Sequence, residues 1–200
     1  GGAFALIAFF TVLAFLTLLA FANLHLLGLA DPWAWTFLPA SVLAGEWWRL
    51  LTHPFLHVSA YHLALDGAAF LLLYTGLREP SRARRLTFVL SAAAGSVLVS
   101  LWAAPVIWTI GLCGLSGIAH GLMAVTGLEM IVRPRRLPLR LTGWLCFAGV
   151  VGKCALEVVL DGVLLSSWHL GSVGSPVMVC HAGGVLGALV AWLLPRRAAV

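Results

Sequence analysis

The sequence predicts an all-α membrane protein of one domain, a bundle of six spanning helices. Three observations lead there. Of the 200 residues 62% are hydrophobic and only 10% charged, and the mean hydropathy is +1.03. An ordinary soluble domain is excluded by that composition. Apolar stretches close to the about 20 residues that a span needs recur along the chain. Finally, ten of the twelve Lys and Arg residues fall in three short places: 78–85, 133–140 and 196–197. The pI near 9.6 therefore reflects short loops between spans and does not point to nucleic acid. By the positive-inside rule those loops are cytoplasmic, and with six spans both termini lie with them.

The first span covers about residues 4–29 and is broken late by Asn23 and His25. It is long for a signal peptide and lacks a basic leader, so it is expected to be a retained span. Residues 31–49, DPWAWTFLPASVLAGEWWR, carry four tryptophans, which prefer the membrane interface. This segment is expected at the surface. The second span, about 58–77, contains His62 and Asp66 and follows His53 and His57; the third covers about 86–104. The fourth, about 116–132, begins at Ser116 and ends where Glu129 can pair with Arg133. The fifth, about 141–165, carries Lys153, Glu157 and Asp161; Lys153 and Glu157 have the spacing of an ion pair, expected to be structural. A loop at 166–176 leads to the sixth, about 176–194, with Ser175-Pro176 as cap and first helical residue.

Chemistry concentrates in Gly111 to Leu122, GLCGLSGIAHGL. Ser116 stands between glycines at the mouth of an apolar helix, where free backbone N–H groups favour developing negative charge. Gly114 and Gly117 leave room for a substrate backbone, with Leu115 between them, and His120 follows Ser116 by one turn on the same face. G-x-S-G is a short motif, and glycine and serine also serve close helix packing. His181 opens the sixth span in VCHAGGVLGALVAW, at a depth matching Ser116. A serine and a histidine in reach of each other form an activated nucleophile. His62 and Asp66 share a face at i,i+4, as a helix-pinning contact or as polar lining of a reaction centre. No HExxH or similar ligand spacing occurs, so no metal is expected.

These residues resemble the rhomboid family of intramembrane serine proteases over nearly the whole chain. WWRLLTHPFLHVSAYHLALD (47–66) is similar to the family's Trp-Arg element and second helix, GLSG (114–117) to its nucleophile motif, and His181 with Gly184 to its His-x-x-Gly motif. The resemblance implies Ser116 as nucleophile and His181 as general base, a dyad with no obligatory carboxylate and no cofactor. It makes His62 the oxyanion-side histidine. Asp66 departs from the family's usual Asn, His120 stands where many members place Tyr, and Ala188 replaces a further Gly. WWRLLT, the H-x-x-x-D pair and GLSGxxHG look most like the rhombosortase branch. That branch implies a bacterial cytoplasmic membrane, an active site facing the periplasm, and substrates with a C-terminal Gly-rich transmembrane sorting tail. Alternatives are a general rhomboid protease of other transmembrane substrates, a non-catalytic client-binding protein, or a cofactor-binding bundle. If Ser116 and His181 meet, Cys113 and Cys180 are neighbours, and a disulfide between them is expected on the oxidising side. Cys146 and Cys154 are expected to be packing residues.

Overall fold

The computed structural model describes residues 2–132, 136–164, 166–174 and 177–195, with no strand among them. In chain order the helices are α1 (Gly2–Ala22), α2 (Pro39–Leu43), α3 (Arg49–Thr52), α4 (Ala60–Gly76), α5 (Arg82–Ala103), α6 (Ile107–Ile110), α7 (Ser116–Val132), α8 (Leu137–Leu160) and α9 (Val179–Leu193). Two of them, α5 and α8, are long and apolar enough to cross a membrane, and each leaves most of its length unburied. A third element joins them if residues 49–55 and α4 are taken together as one apolar unit, bent by 100°. Helices α7 and α9, with 17 and 15 residues, are apolar but short of that criterion.

Several ends move inward from their expected places. The first helix stops at Ala22 because Asn23 turns its side chain back, donating from Nδ2 to the Leu19 and Phe55 carbonyls. The chain then makes a 3-10 turn over Leu24–Leu27. Half of the basic turn 78–85 is helical: Ser81 caps α5 by accepting from the Arg84 N–H. The Arg84 guanidinium donates to the Trp192 and Leu194 carbonyls at the end of α9, as a cation at a helix C-terminus should. The last helix begins at Val179 rather than 176, and the expected cap at Ser175-Pro176 lies outside the described residues. So does Arg133, the expected partner of Glu129; Glu129 accepts the Arg78 backbone N–H at 2.7 Å.

The core is built on glycine. A methyl group at Gly184 would overlap the Gly117 carbonyl, one at Gly187 the Ser91 carbonyl, and one at Gly183 the Gly95 carbonyl. Backbones of α9, α7 and α5 therefore touch directly, as small-residue packing between membrane helices allows. Ala92, Leu122 and Ala188 fill the space around these contacts with Phe88. The Trp-rich segment lies at the surface as expected, with Trp33, Trp47 and Trp48 more than half exposed. It is anchored by Arg49, which is buried, pairs with Glu46, and donates to the Trp33 and Thr36 carbonyls.

Candidate active site

The loop before α7 is pinned at both ends. Leu112 bridges to Phe37 through paired backbone bonds of 3.0 and 2.9 Å, and the Gly114 N–H donates to the His53 carbonyl. Gly114 has φ +100, and a Cβ there would press on the Asp66 carboxylate and the His62 ring at 3.0 Å. Only glycine fits on both counts. Ser116 is thus delivered as the first residue of α7, where the unsatisfied first-turn N–H groups gather. Its carbonyl accepts from His120 Nδ1 at 2.7 Å.

His181 lies in the first turn of α9 and is buried. Its Nδ1 meets Glu157 Oε2 at 2.8 Å. Glu157, fully buried, takes Lys153 Nζ at 2.7 Å and the Leu164 N–H at 3.1 Å on its other oxygen. Lys153 Nζ is also 3.0 Å from His120 Nε2. The rings of His120 and His181 are stacked. A chain of contacts results: Ser116 carbonyl, His120, Lys153, Glu157, His181. The Lys153–Glu157 pair forms as its spacing predicts. One helical turn of α8 also aims both side chains at the first turns of α7 and α9, so that a carboxylate stands behind His181. Asp161 takes no part; it ends α8 in a left-handed conformation with φ 46.

The donor roles in this chain of contacts are determined by its charged members. An ionised carboxylate only accepts and an ammonium only donates. His120 therefore donates from Nδ1 and accepts at Nε2. Toward an ionised Glu157, His181 can only donate from Nδ1, and its Nε2 makes no hydrogen bond among the described residues. One carboxylate oxygen and the two imidazoles lie with ligand-capable atoms within 4.8 Å of one another, a spacing a metal ion could use. Lys153 already supplies the positive charge at two of these three groups.

A cavity of about 440 Å³ opens between these groups, with Ser116, His120, Lys153 and His181 in its wall. Among the described residues no hydrogen bond joins the Ser116 hydroxyl to His181; catalytic contacts are often loose before substrate binds. His62 and Asp66 line the same cavity. His62 Nδ1 accepts the Val58 N–H at 3.4 Å, and its Nε2 faces Asp66 Oδ2 at 3.1 Å, an ion-pair contact rather than an aligned hydrogen bond. His57 stands 3.7 Å from the same oxygen, a neighbour that sequence spacing did not single out. The loop after α8 covers this side: Ser59 Oγ donates to the Ser172 carbonyl, Gly171 packs on Tyr61, and Gly174 on Val58.

Three expected lining residues, Gly114, Leu115 and Gly117, do not line this cavity. Leu115 is 1% exposed and belongs to the core with Phe88 and Leu122. Gly117 serves the contact with α9 rather than the cavity. The disulfide is not formed: all four cysteines are free thiols. Cys113 and Cys180 do share the cavity wall. Burial pushes the Cys113 thiol up to about 12, so it stays protonated, and thiol–disulfide chemistry proceeds through the thiolate. The glycine contact between α7 and α9 already holds the two segments together.

Fold and cavity together define a class: a helical membrane protein with a serine and an imidazole on one internal wall. The family model for the Rhomboid domain matches residues 44–197, more than three quarters of the chain. The chain belongs to the rhomboid family, whose members are intramembrane serine proteases acting on transmembrane substrates. No curated relative and no solved structure matches it.

Proposed function

We propose that this protein is an intramembrane serine endopeptidase in which Ser116 is the nucleophile and His181 the general base. One observation carries the reading: the first turns of α7 and α9, touching through Gly117 and Gly184, bring both side chains to the wall of one cavity. His181 Nε2 takes the Ser116 proton as Oγ attacks the scissile carbonyl. The first-turn N–H groups of α7, aided by His62, receive the oxyanion; losing one such donor costs roughly 3–4 kcal/mol of transition-state stabilisation. The protonated imidazole then gives its proton to the leaving amine, and water or another amine releases the acyl group from Ser116.

Family and charge pattern together support the rest of the topology. Six spans place both termini in the cytoplasm and the cavity on the opposite, periplasmic side of a bacterial inner membrane. At 1.5 Å per residue α7 is about 26 Å long, shorter than the roughly 30 Å hydrocarbon layer. Reaching the cytoplasmic surface at Val132 puts Ser116 below the outer one. The rhombosortase-like features favour exported proteins with a Gly-rich C-terminal transmembrane tail as substrates.

The test is co-expression with such a tailed substrate, together with labelling by a serine-directed fluorophosphonate. Wild type should cleave and be labelled at Ser116, and Ser116→Ala and His181→Ala should do neither while keeping wild-type thermal unfolding in micelles. Wild-type cleavage by either variant sinks the assignment.

A further inference from the structure

We infer that Glu157 is a positioning residue for His181, making a third member of the catalytic group on a helix separate from both others. The inference rests on the assignment of Ser116 and His181 made above. Its ground is the contact of 2.8 Å between Glu157 Oε2 and His181 Nδ1, made by a carboxylate with no exposed surface.

A histidine that is to accept the serine proton at Nε2 must carry its own proton on Nδ1. An acceptor-only partner at Nδ1 imposes that tautomer and the ring orientation with it. Glu157 remains such a partner because its other oxygen is held by the Lys153 ammonium and the Leu164 N–H. An unpaired buried carboxylate would be costly in a bilayer; this one is compensated by a neighbour one turn away on its own helix. The His120 ring, stacked on His181, closes the remaining face of the imidazole. Nδ1 is thereby bound and the ring plane confined, and the remaining Nε2 is the atom available to the nucleophile.

Glu157→Gln separates this role from simple packing. Glutamine keeps the size but offers one acceptor oxygen and one NH2 group. Lys153 and Leu164 both donate toward the Oε1 side and retain the oxygen there. The NH2 group then faces His181 Nδ1, which must become an acceptor, and the ring proton moves to Nε2. A ring protonated on Nε2 cannot take the proton of Ser116. In a serine protease the equivalent wrong-tautomer change costs about 10⁴-fold in turnover.

The experiment uses the full chain in detergent micelles with ¹⁵N-labelled histidine, the His181 signals being assigned by their loss in His181→Gln. At neutral pH wild type should carry the His181 proton on Nδ1, and Glu157→Gln should shift it to Nε2. Fluorophosphonate labelling of Ser116 should fall about 10²–10⁴-fold in Glu157→Gln, with unfolding temperature unchanged. A wild-type His181 protonated on Nε2 overturns the inference, as does a folded Glu157→Gln that labels at the wild-type rate. Should that variant not fold, the wild-type tautomer decides alone. Failure of the functional reading has a different signature: wild type itself then goes unlabelled at Ser116, and the role of Glu157 falls with it.

Discussion

The ring of His120 lies flat against that of His181, centroids 4.1 Å apart and planes 12° apart. The Nδ1 atom of each ring faces an oxygen, the Ser116 carbonyl in one and Glu157 in the other. His120→Phe keeps the flat face and loses both polar contacts, whereas His120→Ala loses the face as well. An aromatic pair is worth about 0.5–1.5 kcal/mol beyond its buried area. His120→Ala should therefore label at Ser116 roughly 2- to 10-fold more slowly than His120→Phe. Equal rates would show that the stack does not hold the base.

Asp66 faces His62 at 3.1 Å and His57 at 3.7 Å, one carboxylate oxygen set between two imidazoles. Asparagine retains one acceptor oxygen there, as the family's usual residue would. Asp66→Asn should keep cleavage within about tenfold of wild type, while Asp66→Leu, which frees His62, should lose about 10²-fold, the cost of a missing oxyanion donor. A folded but inactive Asp66→Asn would mean that the negative charge itself is needed.

The glycine spine gives a stability prediction with an internal control. Gly184→Ala forces a methyl group into the Gly117 carbonyl and should destabilise by about 1–3 kcal/mol or more, with loss of cleavage. Gly152, on α8, has nothing within 4 Å of the added methyl. Gly152→Ala should be neutral or stabilising by up to about 1 kcal/mol, from helix propensity. Thermal unfolding in micelles compares the two, and a harmless Gly184→Ala would disprove the direct backbone contact.

Thiol counting on denatured, unreduced protein should find four cysteines. In the native protein Cys113 should react slowly with iodoacetamide at neutral pH, because burial holds its thiol near 12. The rate should climb about tenfold per pH unit and level off only near that value. Finding two thiols instead of four would restore the bridge between Cys113 and Cys180.

Much of the site was legible in the chain because helix starts carry local signals. Ser116 between glycines and His181 before a run of small residues both announce where their helices begin, and the structure begins α7 at Ser116 and α9 two residues before His181. The contact of Glu157 with His181 was not legible. The apolar residues of α8 cover most of its circumference, so no hydrophobic stripe reveals which face turns inward, and i,i+4 spacing shows only that Lys153 and Glu157 share a face. The 100° bend between residues 49–55 and α4 was equally hidden. It arises from the turn at 56–59, closed by Asn23 accepting the His57 N–H from a distant helix. Leu115 was misplaced for a simpler reason: adjacent residues at a helix start leave on different faces.

Lys153 and Glu157 lie one turn apart in a single helix, so their neutralisation requires no other part of the fold. An isolated charge within a membrane helix costs up to about 2.5–3.5 kcal/mol. Here the carboxylate has its counter-charge on its own helix, so α9 need bring only the His181 ring to it.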